Sequence, residues 1–194
     1  MKSLAVDDAE ALKWFRMAAE QDNSKAQHAI GVIYYNGEGV TKDFAEAIKW
    51  FQKAAEQDDA NAQYLIGLMY YNGKGVTKDF AEAEKWYRKA ADQDNSSAQN
   101  AIGGMYYNGE GVTKDFAEAI KWFQKAADQD NANAQYNIGV MYYRGESIKK
   151  DYDIAAEWFQ KAADQGFAKA EEVLNVINKE AGIIPMPKDE LDAS

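Results

Sequence analysis

The stretch that decides the fold is Gly37–Asn72, which reads GEGVTKDFAEAIKWFQKAAEQDDANAQYLIGLMYYN. It returns with few changes at Gly73–Asn108 and again at Gly109–Arg144. A fixed period of about 20–50 residues is typical of proteins that stack one structural unit on the next. The sequence therefore predicts a repeat protein with a 36-residue unit. Tryptophan marks the same position of the unit along the chain, at Trp14, Trp50, Trp86, Trp122 and Trp158.

Each unit contains two helical patterns, which we call the A-helix and, after a glycine turn, the B-helix. In the B-helix that begins at Phe44, apolar residues recur at helical spacing on one face. The pair Asp43 and Glu46 precedes that face and matches a capping box. Asp7 with Glu10 repeats the pair near the N-terminus. We predict B-helices that begin near Asp7, Phe44, Phe80, Phe116 and Tyr152, and A-helices that begin near Ser24, Ala60, Ser96, Ala132 and Ala168.

The A-helix carries an internal glycine, represented by Gly67. Glycine costs about 1 kcal/mol there relative to alanine, so its recurrence predicts that a bulky side chain packs against it. Trp50 or Trp86 is the expected neighbour, and the tryptophans as a set are expected in the core. After the A-helix, Gly37 is placed to end the helix in the left-handed conformation.

Composition removes several classes of function. The formal net charge of −10 argues against nucleic acid and anionic membranes, since proteins that bind them need a basic footprint. The chain has no cysteine and one histidine, and no apolar run approaches the ~18 residues of a membrane span. We predict no metal, no cofactor and no catalytic residue. The N-terminus lacks a signal-peptide core, which predicts a cytoplasmic protein, or a periplasmic or secreted one if a signal was removed.

The pattern A-x-x-x-(I/L)-G-x-x-Y-x-x-G-x-G-V-x-x-D, followed by A-x-x-W-x-x-K-A-A, closely resembles the Sel-one-like (Sel1-like) repeat family. The resemblance implies an all-α fold, a right-handed α-solenoid of antiparallel helix pairs. It also implies an adaptor or scaffold for macromolecular complexes, often in bacteria. In one unit it is carried by Ala62, Ile66, Gly67, Tyr70, Gly73, Gly75, Val76, Asp79, Ala83, Trp86, Lys89, Ala90 and Ala91.

This resemblance sets the expected domain limits. We predict one solenoid over residues 1–181 and a C-terminal tail over residues 182–194, where two prolines oppose helix. One departure concerns the end of the B-helix, where the family usually has glycine, as at Gly166. Aspartate tolerates the left-handed conformation better than most residues, so the fold is kept. The aspartates in question are Asp22, Asp58, Asp94 and Asp130.

Differences between the units indicate a candidate binding surface. Gly37–Asn72 and Gly109–Arg144 agree at 31 of 36 positions, and three of the changes share one face of the A-helix. In related solenoids this helix lines the concave surface, and exposed tyrosines on it suit an interface. Drift at unconstrained sites is the alternative reading. The predicted partner-binding residues are His28, Tyr35, Tyr64, Leu65, Leu68, Tyr71, Asn72, Asn100, Tyr107, Tyr136, Asn137, Tyr143 and Arg144.

Three functions follow from these observations. The first is a non-catalytic scaffold that binds a protein or peptide on the concave face. The second is a hydrolase of β-lactam or cell-wall-like substrates, since Ser147 and Lys150 match S-x-x-K, although no S-D-N or K-T-G element accompanies them. The third is an immunity or inhibitor protein that blocks a toxin with an acidic groove.

The N-terminal helix, expected at Asp7–Gln21, has no A-helix before it. We therefore expect part of its apolar face to be exposed. That face predicts self-association through this end, or a covering segment upstream of Met1. The opposite end is rich in Glu and Lys and reads as a solubilising cap. The residues expected to be exposed are Leu12, Trp14, Phe15 and Met17.

Overall fold

The computed structural model describes residues 4–180, with side-chain surroundings for residues 10–178. Within the described range there are ten helices and no strand, which confirms the all-α repeat fold. The chain separates into two compact units, Met1–Lys114 and Asp115–Ser194. The extent of the solenoid stays a prediction, and the tail over residues 182–194 lies outside the described residues.

The first unit contains three B-helices and three A-helices in alternation. The A-helices that begin at Ser24 and Ala60 pack more extensively on the B-helix that follows them than on the one before. Buried alanines lie where helices touch, and the larger side chains of Phe51, Ile66 and Met69 fill the core between them. The helices are α1 (Leu4–Ala19), α2 (Ser24–Asn36), α3 (Phe44–Ala55), α4 (Ala60–Asn72), α5 (Phe80–Ala91) and α6 (Ser96–Asn108).

The second unit repeats this plan with α7 (Phe116–Ala127), α8 (Ala132–Arg144), α9 (Tyr152–Asp164) and α10 (Ala168–Glu180). Phe159 of α9 is fully buried, and α10 contributes Leu174 and Ile177 to the same core. The last A-helix is therefore packed on α9 through one apolar face.

Side-chain caps fix where the helices begin. The Asp43 carboxylate accepts a hydrogen bond from the backbone N–H of Glu46 at 2.9 Å, and Asp59 does the same for Ala62 at 2.8 Å. Nine of the ten predicted starts are confirmed. The exception is α1, which begins at Leu4, so the predicted cap at Asp7 is wrong. The residues before Asp7 include no glycine to impose a turn, and Leu4 and Ala5 favour helix.

The internal glycines of the A-helices receive aromatic rings. A Cβ added to Gly67 would lie 2.6 Å from the ring of Tyr87, and one added to Gly31 would lie 2.5 Å from the ring of Phe51. The expected neighbour, tryptophan, was therefore wrong by one residue. One residue is a rotation of about 100° on a helix, so the ring that follows each tryptophan points at the glycine instead.

The tryptophans are displaced toward the surface by this arrangement. Trp50 and Trp86 are half-buried, Trp122 is buried and Trp14 is 60% exposed, so the expectation of a tryptophan core is wrong for most of the set. The lysine three residues later lies over the ring, with Lys53 Nζ 4.3 Å from the centre of the Trp50 ring. Such cation–π contacts suit a half-exposed ring.

The glycine turn brings the backbone of one repeat onto the next. Gly75 has a φ of +72°, and a Cβ there would lie 2.6 Å from the carbonyl carbon of Phe44. No residue with a side chain fits this contact. At the ends of the B-helices the predicted left-handed aspartates are confirmed, with Asp58 at a φ of +60°.

A buried glutamine ties successive helices together. Gln63 is 3% exposed; its Nε2 donates to the carbonyl oxygen of Ala55 at 3.3 Å, and its Oε1 accepts from Gln93 at 2.8 Å. In the second unit Gln135 accepts from Gln165 at 2.8 Å. Because the Gln63 amide bonds both the end of α3 and the turn after α5, the polar group is satisfied although it is buried.

Candidate interaction surface

The varying face of the A-helices is half-buried, and some of its residues, such as Leu65 and Val140, pack against the core with one side. In α4 it presents Tyr64, Leu65 and Leu68, and in α6 Leu68 is replaced by Gly104. A Cβ added to Gly104 would meet nothing within 4 Å. The position therefore tolerates either a large side chain or none, which is the behaviour of a surface that faces solvent or a partner.

His28 and Tyr64 occupy the same repeat position on this face, and their rings pack against the B-helix that follows. The Tyr64 ring lies 5.8 Å from the ring of Tyr87, and His28 lies 5.7 Å from Phe51. His28 Nδ1 also lies 3.4 Å from the carboxylate of Asp59. Burial raises the pKa of the Tyr64 hydroxyl above its usual range. These side chains are fixed from behind and open in front.

The tyrosines near the C-terminal ends of the A-helices are less exposed than the sequence suggested. Tyr35 and Tyr71 are half-buried and pack edge-on against Phe44 and Phe80, at 5.1 and 5.2 Å between ring centres. Their hydroxyls are hydrogen-bonded to the glycine turn of the next repeat. Lys74 Nζ donates to the Tyr35 hydroxyl at 2.9 Å. They are therefore part of the stack as well as part of its face.

The Tyr71 hydroxyl is bonded to a residue of the next repeat. It donates to a carboxylate oxygen of Glu110 at 2.6 Å. Burial, together with that hydrogen bond and the carboxylate charge, raises the pKa of Tyr71 to about 12. The two partners are 39 residues apart in sequence, so the local pattern gave no signal for this bond.

The second unit has a groove of about 330 Å³ on the same face, between α8 and α10. Three of the predicted residues, Tyr136, Tyr143 and Arg144, line it. The wall from α10 was not predicted, because the Glu and Lys content of that helix indicates a solubilising cap. A search for apolar residues at the repeat positions of Asn137 and Val140 would have found it. The wall contains Glu172, Val173 and Val176.

The remaining predicted partner-binding residues lie on the A-helices of their own units. Asn72 and Arg144 are exposed, and Asn72 Nδ2 donates to the carbonyl of Leu68 at 2.8 Å. Arg144 lies 3.8 Å from a carboxylate oxygen of Glu146. The others are half-buried: Asn100, Tyr107 and Asn137.

Ser147 has a backbone role that accounts for its position. It has a φ of +57°, in the place where the other turns have a second glycine. Lys150 Nζ lies 4.9 Å from the centre of the Tyr152 ring. Among the described residues no group of His, Cys, Asp or Glu is arranged to hold a metal ion. None of the helices described combines the length and apolar character that a membrane crossing requires.

Comparison with known protein families identifies the repeat. The Sel1 repeat pattern matches residues 3–23, 24–59, 60–95, 96–131 and 132–167. The chain belongs to the Sel1 repeat family. Proteins built from Sel1 repeats are typically scaffolds for protein interaction. No curated protein sequence matches the chain significantly.

Solved structures of Sel1 repeat proteins share the fold. A protective antigen of uropathogenic Escherichia coli is 41% identical, with a TM-score of 0.78, over 84% of this chain and 35% of that one. A Sel1 repeat protein from Oxalobacter formigenes is 38% identical, with a TM-score of 0.80, over 87% and 69%. An immunity protein from Pseudomonas aeruginosa is 26% identical, with a TM-score of 0.60, over 82% and 59%. The chain thus spans about a third of the length of the E. coli protein.

Proposed function

We propose that this Sel1 repeat protein is a non-catalytic scaffold that binds a protein or peptide through the face of its A-helices. The observation that carries the proposal is the contrast between constant and varying positions in near-identical repeats. Gly67 and Gly75 are retained where a side chain would collide, whereas Leu68, Gly104 and Val140 vary where the space is open or the face is half-exposed. Variation at positions where packing does not fix the size of the side chain, as at Gly104, is compatible with partner recognition.

The chemistry of the face supports a macromolecular ligand. Tyr64 and Tyr71 are held by ring contacts from behind, so they lose little side-chain entropy when a partner covers them. The groove in the second unit is lined by three valines together with Arg144 and Glu172. An apolar lining with charged residues beside it suits a peptide segment.

The hydrolase alternative has less support. The residue that would act as nucleophile, Ser147, replaces a glycine of the turn, and its φ of +57° explains its placement without chemistry. We expect no nitrocefin turnover by the purified protein. Turnover that disappears in Ser147→Ala would reverse this assignment.

A narrower version of the scaffold proposal is an immunity protein. The 26% identity to a P. aeruginosa immunity protein and the net charge of −10 favour a basic protein partner. If this version is correct, the partner recovered from cells is toxic when expressed alone and harmless when expressed with this protein. A partner without toxicity would leave the scaffold function and remove the immunity role.

The test of the scaffold proposal uses the repeats as their own control. The variant Leu65→Asn, Leu68→Val, Asn72→Arg gives α4 the residues that α8 has at those positions, so the fold has already accommodated them. A variant at the exposed Lys85 of α5, Lys85→Gln, serves as the matched control. Thermal unfolding monitored by circular dichroism establishes that both variants are folded.

Affinity capture with quantitative mass spectrometry then compares the three proteins. We expect a partner that wild type and Lys85→Gln recover equally and the α4 variant loses by about tenfold or more, which corresponds to about 1.4 kcal/mol of binding free energy. Equal recovery by all three, repeated with Val173→Asp and Val176→Asp in the groove of the second unit, would contradict binding through this face.

A further inference from the structure

Of the two exposed surfaces that the sequence predicted, the row of tyrosines on the A-helices has a feature that the sequence did not predict. In the first unit these tyrosines meet a further ring from α5, that of Tyr87. On the other surface, the N-terminal helix, Leu12 is 8% exposed and lies in the core, so its predicted exposure is wrong. Self-association through that helix stays a prediction. We use the name tyrosine cluster for Tyr35, Tyr64, Tyr71 and Tyr87.

The ring of Tyr87 packs into a gap that a glycine leaves on α4. Tyr64, Gly67 and Tyr71 follow one face of that helix at positions i, i+3 and i+7. A Cβ on Gly67 would lie 2.6 Å from the Tyr87 ring. The centre of this ring is 5.8 Å from that of Tyr64 and 6.5 Å from that of Tyr71. The hydroxyl at the far end of the ring is therefore directed toward the A-helix face, between these two tyrosines.

Tyr87 carries a hydroxyl that the fold does not use. The same repeat position holds buried phenylalanine in α3, α7 and α9, at Phe51, Phe123 and Phe159. Tyr87 is 1% exposed, and its hydroxyl has no hydrogen-bond partner among the described residues. Burial and the neighbouring tyrosine hydroxyls raise the pKa of Tyr87 above its ordinary value, so the group stays protonated and can donate. Leaving a buried donor unpaired costs free energy, which a ligand that accepts its hydrogen bond recovers.

A lysine beside the tyrosine cluster leaves a second hydroxyl proton free. Lys74 Nζ donates to the Tyr35 hydroxyl oxygen at 2.9 Å. At the same place in the next repeat, Tyr71 donates its proton to Glu110 at 2.6 Å. The other three glycine turns have glutamate where this one has Lys74. Tyr35 therefore accepts a hydrogen bond where Tyr71 donates one, and its own proton remains available to a ligand.

We propose that Tyr35, Tyr87 and Lys74 form a binding site for the side-chain carboxylate of an Asp or Glu in the partner of this face. Two O–H donors and an ammonium group suit the two oxygens of a carboxylate, and hydrogen bonds to a charged acceptor are strong. Among the described residues Lys74 is the one cation hydrogen-bonded to the tyrosine cluster, which matches a monoanion better than a phosphate group. The site rests on the proposed scaffold function and specifies a group that this face recognises.

The test titrates the full-length protein with N-acetyl-aspartate N-methylamide, which carries one carboxylate on a peptide-like backbone. N-acetyl-asparagine N-methylamide is the matched neutral control. Tyrosine is isotopically labelled at the ring carbon that bears the hydroxyl, so that NMR reports each hydroxyl separately. We expect saturable shifts of the Tyr35 and Tyr87 resonances with the aspartate compound and none with the asparagine compound. The resonance of Tyr152, in the second unit, is expected not to move.

The repeats supply variants that the fold already accommodates. Tyr87→Phe gives α5 the residue of α3, α7 and α9, and should weaken binding by about tenfold or more. Lys74→Glu gives the turn the residue of the other turns and should abolish binding, because the new carboxylate repels the probe and accepts the Tyr35 proton. Lys85→Glu makes the same change of charge on the exposed face of α5 and should leave the affinity unchanged.

Urea unfolding separates a binding role of the Tyr87 hydroxyl from a structural one. Because the fold does not bond this hydroxyl, the urea midpoint of Tyr87→Phe is expected to equal or exceed that of the wild type. A lower midpoint would show that the hydroxyl is bonded within the fold, and would overturn the site. It is also overturned if the aspartate compound gives no saturable shift, if both compounds bind equally, or if Tyr87→Phe binds like the wild type.

Affinity capture keeps the failure of this site distinct from failure of the scaffold function. A partner that the α4 variant loses, but that Tyr87→Phe and Lys74→Glu both retain, would leave the scaffold function in place and overturn the carboxylate site. Saturable binding of the aspartate compound that both variants weaken, with no partner captured by any protein, would support the site and contradict the scaffold function alone.

Discussion

Gly67 of α4 and Gly104 of α6 are one position apart in the repeat and differ in the space that a side chain would find there. A Cβ on Gly67 would lie 2.6 Å from the ring of Tyr87, whereas one on Gly104 would meet nothing within 4 Å. One residue turns a helix by about 100°, so the two glycines look in different directions from the same kind of helix. The first is required by packing and the second is free of it, and this distinction separates the stacking face from the candidate interaction face.

The largest effect is expected at the packed glycine. Gly67→Ala forces the Tyr87 ring out of place and is expected to lower the free energy of unfolding by about 1–3 kcal/mol, the range found for overpacked cores. Urea unfolding measures it, and Tyr87→Leu in the same chain should recover part of the loss. A change below about 0.5 kcal/mol would show that the contact between helix and ring is looser than the structure indicates.

A second test asks whether Tyr71 behaves as a stacking residue or as a free surface tyrosine. Its pKa is raised to about 12, whereas an unfolded tyrosine ionises near pH 10. The contribution of the protonated Tyr71 hydroxyl to the free energy of unfolding is therefore complete below about pH 10. It is lost as the pH rises toward 12, because the unfolded chain ionises first.

Urea unfolding across that alkaline range measures the effect. Tyr71→Phe removes part of the decline, and Glu110→Gln lowers the pKa of Tyr71 by removing the neighbouring charge. If wild type and Tyr71→Phe lose stability in parallel, Tyr71 is not held by Glu110 in solution.

The opposite sign is expected at the free glycine. Gly104→Ala places a methyl group in open space and removes glycine's backbone flexibility from the unfolded chain, so it should stabilise by about 0.5–1 kcal/mol. Because both changes replace glycine by alanine in an A-helix, a difference between the urea unfolding curves of Gly104→Ala and Gly67→Ala reports the surroundings of the two positions. Destabilisation by Gly104→Ala would mean that this position also packs against something.

The smallest effect is expected where the backbone alone decides. Asp58 has a φ of +60°, a conformation that glycine adopts without strain, so Asp58→Gly should stabilise by about 0.5 kcal/mol. The reverse change at Gly166, whose φ is +78° with open space around it, is the matched control. Gly166→Asp should cost about as much as Asp58→Gly gains; two changes of the same sign would point to side-chain contacts instead.

The sequence alone predicted the elements that local rules control. Helix starts at Phe44 and Ala60 were correct because an aspartate cap precedes each of them. The start of α1 was wrong because the cap pattern at Asp7 was not backed by a glycine turn, and the helix continued through it. Periodicity and caps therefore determine a repeat only where both are present.

The candidate surface was harder to predict, because it depends on distant neighbours. The prediction that exposed tyrosines line this face is wrong for Tyr71, which is half-buried and bonded to Glu110, 39 residues away. The groove wall from α10 was not predicted, because the many Glu and Lys residues of that helix indicate a solvated cap. Neither a long-range hydrogen bond nor a shared cavity leaves a periodic signal.

The buried glutamines have a consequence for the kinetics of opening. Gln63 is bonded both to the carbonyl of Ala55 before it and to Gln93 after it, so separating any one of these helices exposes a half-satisfied amide in the others. At the equivalent position of α10 the chain has exposed Glu171. Amide hydrogen exchange should therefore be slow and concerted across α3 to α5, and fast in α10, where no such amide resists the first opening.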